Sequence, residues 1–321
     1  MSFLVILIAL VANHYWTRDR DVLNDTWFLR AQQYLDSRLH VLPDPLAKSP
    51  YLYPFLILAL PCLVLAAVLW LVAGVFFGLL SMAVHILVLL ALFDRINVNS
   101  FTERYLKHWD AGDYEAAFLL LQQRWHQLSL DNCEDPQGVH REFCRFLVAS
   151  FFERIFAIVF WYLLLGPIGA LFYHLCVLYL SRVWRRDDDG DLLLLRLVYI
   201  LEWVPARLLA LTFSLAGDFV VAFGRLKEVV MSVDRSGVSV VYTCAMAAVE
   251  VGSRVFIVSD DSTASSKEGP EKVLIEAGEE DAKLVQVKGQ QQLKELLGLL
   301  NRSQLIWVTA LALLTLAGFG M

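Results

Sequence analysis

Between Lys48 and Asp94 the chain carries no charged side chain, a run of 45 residues. That run restricts the fold more than any other feature. It is long enough for two membrane spans of about 20 residues each, and too long for a buried helix of a soluble domain. In lipid every backbone polar group must be satisfied within the chain, so the run is read as a helical hairpin. Gly74 and Gly78 are its expected turn or close-packing point, because glycine bends at the least steric cost.

Other apolar runs extend the pattern. Phe3 to Trp16 forms a short first segment with Tyr15 and Trp16 at headgroup level, read as an uncleaved helix because no basic residues precede it. Ile155 to Ser181 is uncharged over 27 residues and contains Gly166-Pro167, where proline removes a backbone donor, so a broken or re-entrant helix is expected. A second interruption is expected at Pro205, inside an apolar run from Leu192 to Leu215 that also holds Arg196 and Glu202. Leu305 to Met321 gives a last, barely spanning helix. With 58% hydrophobic and 19% charged residues and a mean hydropathy of +0.55, the expected class is all-α. The architecture is a polytopic helical membrane protein with broken or re-entrant helices and a cytoplasmic helical layer.

The polar segments are 17–52, 95–149 and 217–304, within a single membrane domain spanning 1–321. They hold 5, 6 and 10 of the 27 Lys and Arg residues, which places all three on the cytoplasmic face and both termini on the other. In the first, Trp27, Phe28, Ala31, Tyr34, Leu35 and Leu39 recur at helical spacing before Pro43 and Pro45, as in an interfacial amphipathic helix. In the second, Gly112 or Asp113 is placed to cap a helix running toward Gln123. The third carries a Ser-rich acidic patch from Asp260 to Glu279 and a helical piece from Gln290 to Leu300.

Several chemistries are disfavoured. A net charge of -6 provides no basic surface for phosphates, so no nucleic-acid partner is expected. The five cysteines are dispersed without CxxC spacing and are read as reduced thiols. His14, His85 and His174 lack the companions of a metal site, and Gly166-Pro167-Ile168-Gly169 lacks the Lys-Ser/Thr of a phosphate loop. No nucleophile elbow is present. Arg182, Arg185 and Arg186 beside Asp187, Asp188 and Asp189 read as a self-neutralised loop.

The charges at membrane depth are the candidate site. Glu202 and Arg207 flank Pro205 and either face one cavity as a ligand site or form a structural pair; Arg207 alternatively snorkels to the interface. Glu153 and Arg154 open the broken helix and either complete that polar pocket or mark its solvated boundary.

The stretch Phe160-Trp161-Tyr162-Leu163-Leu164-Leu165-Gly166-Pro167-Ile168-Gly169-Ala170-Leu171-Phe172-Tyr173, followed by Leu201-Glu202-Trp203-Val204-Pro205-Ala206-Arg207-Leu208, resembles the core of the CobD/CbiB membrane superfamily. Those proteins join an aminopropanol phosphate to a corrinoid carboxylate. The motif from Glu202 to Leu208, the length and the apolar carboxy-terminal helix are similar to the AmpE branch, as is the segment Ala111 to Ala117. That resemblance implies an inner-membrane modulator of β-lactamase induction linked to peptidoglycan recycling. The synthase branch has an Asp pair and an Asn before its Pro-Ala-Arg, where this chain has Val198, Tyr199 and Glu202, and a Glu-Asn pair where it has Glu153-Arg154. Those replacements remove oxygen ligands that a metal-bound nucleotide needs.

The expected function is therefore regulatory or sensory, in the bacterial inner membrane, through binding rather than catalysis. Glu153, Glu202 and Arg207 form the expected ligand site, the bilayer is a partner, and a muropeptide or a cell-wall recycling protein is the expected signal. A corrinoid amide ligase, which would need ATP and Mg²⁺, and a small-solute transporter are the rival readings.

Overall fold

The computed structural model describes residues 2–16, 52–73, 78–93, 98–125, 135–183, 190–217, 219–230, 235–249 and 279–319. Within them every regular element is helical. The expected interfacial helix over 25–42, the charged loop at 185–189, the acidic patch up to residue 278, Cys133 and the side chain of His14 lie outside the described residues.

Helix α1 spans Ser2–Trp16. The long uncharged run folds as α2, Leu52–Val72, and α3, Leu79–Leu92, with Gly78 at φ 85° beginning the second. On α2, Phe55, Leu63 and Trp70 are exposed, as suits a helix whose surroundings are as apolar as its own side chains. Helices α4, Val98–Asp110, and α5, Tyr114–Arg124, form a short antiparallel pair. Asp113 caps α5 by accepting a hydrogen bond from the Ala116 backbone N–H at 3.0 Å, which satisfies one of the orphan donors of the first turn.

Helix α6, Pro136–Phe151, opens with Asp135 accepting from the Gly138 N–H at 2.9 Å. It passes through a π-helical turn, Phe152–Phe156, into α7, Ala157–Val183. The expected break in α7 is present at Gly166, with φ 70° and ψ -163°. A residue preceding proline is pushed out of the α region, and glycine alone escapes into this backbone conformation without a Cβ clash.

At Pro205 the sequence expectation and the structure differ. Helix α8 runs from Gly190 to Ala216 across Pro205 as one element. Proline here removes one backbone donor, a loss that apolar helices packed on both sides tolerate. The residue before it is Val204 rather than glycine, so the chain has no cheap escape from helical angles. Proline bends a span, and glycine before proline breaks it.

The described residues after Gly217 include two helices that the sequence does not set apart from the polar segment. These are α9, Phe219–Val230, and α10, Gly237–Ala248. Val240, Val241, Cys244, Ala245 and Ala248 of α10 are buried against α8 and α9. Helix α11 then runs unbroken from Glu279 to Leu314, ending in a second π turn, Thr315–Phe319. It thus unites the expected Gln290–Leu300 piece with the expected last span.

Among the described residues, three helical stretches are long and apolar enough to cross a bilayer: Phe55–Val72, one within Pro136–Ser181, and one within Val285–Ala317. The protein is an all-α helical membrane protein. One buried cluster joins Ile6 of α1, Leu89 of α3, Tyr105 and Trp109 of α4, Phe143 of α6, Phe213 of α8 and Leu296 of α11. Tyr105 and Phe143 stack at 3.7 Å between ring centroids, and Tyr105 also bonds His140 at 3.3 Å.

Candidate functional site

Glu202 sits near the middle of α8 and is 4% exposed. A buried carboxylate is tolerated only where donors replace its water shell, and two are supplied here. The Tyr173 hydroxyl, from the part of α7 beyond the Gly166 break, donates to Glu202 Oε1 at 3.2 Å. The Gly237 backbone N–H, in the first turn of α10, is the second donor. The Glu202 carboxyl group therefore faces the first turn of α10.

The approach of α10 to α8 is close because residue 237 has no side chain. A Cβ on Gly237 would stand 2.8 Å from both Cβ and Oε2 of Glu202 and 3.2 Å from Cε1 of Phe152. Ser236 caps the same helix, its hydroxyl oxygen accepting from the Ser239 N–H at 3.3 Å. Three helices and the π turn thus converge on one carboxyl group.

Glu153 belongs to that π turn and stands within electrostatic range of both Glu202 and Tyr173. The extra residue of a π turn rotates the following side chains relative to an α-helix, a device common at functional positions. Glu153 and Glu202, proposed from sequence as members of one site, are near neighbours in the fold.

Arg207 is placed elsewhere. Five residues in a continuous helix rotate a side chain about 140° away from Glu202. Its Nη1 donates to the Trp203 carbonyl oxygen at 3.1 Å, and the guanidinium lies 4.4 Å from the centroid of the Trp203 ring. A cation on an indole face beside apolar helices suits an interfacial anchor. The broken helix expected at Pro205 would have allowed a common cavity; the continuous helix turns the two groups apart.

Tyr173 and Gly237 were not singled out from sequence. Tyr173 closes the motif-bearing stretch, and a tyrosine within an uncharged span signals a buried polar partner, since its hydroxyl needs one. Gly237 follows a serine cap at the head of an apolar dodecamer, but nothing local shows that it abuts Glu202. Among the described residues no group of three or more His, Cys, Asp or Glu side chains could hold a metal ion. The free thiols Cys144, Cys176 and Cys244 are buried. The centre is an acceptor-rich polar knot in apolar surroundings, suited to donor-bearing groups more than to anions.

No curated protein and no solved structure matches the chain. The sequence profile of the family described as "Regulatory signalling modulator protein AmpE" matches residues 22–246. The matched region covers well over half of the chain and contains Glu153, Tyr173, Glu202 and Gly237, so the chain belongs to the AmpE family of regulatory signalling modulators.

Proposed function

We propose that this protein is a multi-pass inner-membrane regulator that modulates β-lactamase induction in step with peptidoglycan recycling. It acts by binding, with a muropeptide or a cell-wall recycling protein as its signal, and its polar segments face the cytoplasm. The observation that carries this reading is the family match together with a polar centre at Glu202 lying inside it. Distant kinship with the CobD/CbiB superfamily belongs to the same proposal, with the ligase chemistry lost.

The site of the proposal is Glu202 with Tyr173 and Glu153, and Arg207, turned away from it on the same helix, serves as an interfacial anchor on Trp203. The test is induction of chromosomal β-lactamase in a host deleted for this gene and complemented with the wild-type chain. Restored induction on complementation is expected. Induction that is the same with and without the protein would overturn the regulatory reading.

A further inference from the structure

Helix α11 is held firmly at two places far apart. At the first, the Trp109 Nε1–H donates to the Gln286 carbonyl oxygen at 3.3 Å, and the Gln286 side-chain amide donates to the Trp109 carbonyl oxygen at 3.3 Å. The same amide reaches the Tyr114 hydroxyl at 3.4 Å, and the Gln290 amide donates to the Asp110 carboxylate. Gly289 lies flat beneath the indole, where a Cβ would come within 3.1 Å of the Trp109 ring. This end of α11 grips the α4–α5 pair.

At the second place, the Trp307 Nε1–H donates to Thr212 Oγ1 at 2.9 Å, and its ring meets Phe156 edge-to-face at 5.0 Å. Phe156 ends the π turn that carries Glu153. Thr212 lies on α8, the helix that carries Glu202. Trp307 therefore touches both carboxylate-bearing elements at once.

From Gln286 to Trp307 a helix rises about 32 Å, so the two anchors stand far apart along α11. Between the anchors Gln292, Leu293, Leu296, Leu299, Leu300 and Ser303 are buried along one stripe, so the helix is packed along its length. A rigid, packed helix anchored at both ends is one physical element that can carry coupling between them.

We propose that α11 is a strut that conveys movement of the Glu153 and Glu202 elements to the α4–α5 pair around Trp109. This gives the proposed signalling role a route and rests on it for biological meaning. The mechanical link is tested without reference to signalling.

The full-length chain, purified in lipid nanodiscs, is followed by hydrogen exchange of backbone amides. Trp307→Phe keeps an aromatic ring, smaller than the indole, and removes the bond to Thr212; exchange in residues 98–124 is expected to rise roughly fivefold. Gly289→Ala perturbs the other end, and thermodynamic coupling is reciprocal, so exchange in residues 205–216 is expected to rise as well. Leu164→Ala, on an exposed apolar position, is the control that leaves both regions unchanged.

Changes confined to the neighbourhood of each substitution, or transmitted in one direction alone, overturn the strut. If Trp307→Phe cannot be recovered from membranes, Gly289→Ala decides by the same criterion. Transmission in both directions with normal β-lactamase induction by Trp307→Phe would keep the strut and defeat the signalling reading instead.

Discussion

Tyr173 donates its hydroxyl hydrogen to Oε1 of Glu202 over 3.2 Å, tying the part of α7 beyond the Gly166 break to the middle of α8. The break makes this contact possible, because it redirects the second half of α7 away from the axis of the first.

Tyr173→Phe removes that donor and leaves Glu202 with one fewer partner. A buried acceptor deprived of its donor costs about 1–3 kcal/mol. The melting temperature of the detergent-solubilised protein is expected to fall by several degrees, with the protein still reaching the membrane. An unchanged melting temperature would mean that the contact contributes nothing.

Two glycines on neighbouring helices should respond to alanine in opposite ways. Gly224, on α9, has nothing within 4 Å of an added Cβ, so Gly224→Ala gains roughly 0.5–1 kcal/mol from reduced backbone freedom. Gly237→Ala instead drives a methyl group into Glu202 and Phe152 and should cost about 1–3 kcal/mol by overpacking. Thermal unfolding of the two variants side by side would show the sign of each.

The topology has its own test. Cysteines introduced at Glu103 and Lys294, both at exposed positions, in a chain otherwise free of cysteine, should react with an impermeant maleimide only after the cytoplasmic side is opened. Labelling of either position in intact spheroplasts would contradict a shared cytoplasmic face.

Much of the fold is legible in the sequence because lipid imposes a simple rule: long uncharged runs become helices. The hairpin around Gly78, the Asp113 cap and the break at Gly166-Pro167 follow from local chemistry alone. Pro205 shows the limit of that reasoning, since proline marks a lost hydrogen bond while the outcome depends on the residue before it and on the packing around it. The α10 helix escaped notice because a segment's mean polarity hides a buried dodecamer between charged flanks. Glu153 and Glu202 stand out as charges in apolar surroundings. Arg207 stands out equally, yet its neighbour Trp203 competes for it from the preceding turn. Gly237 was invisible, because its role is defined by a helix 35 residues away.

The most direct test of the central claim is Glu202→Gln, which keeps the size and an acceptor oxygen while removing the ionisable acid group. The measurement is inducible β-lactamase activity normalised to the amount of protein in the membrane. The account predicts normal membrane levels with induction reduced at least several-fold. Full induction by a normally inserted variant would contradict it, and loss of the variant from the membrane would show that Glu202 holds helices together rather than carrying a signal.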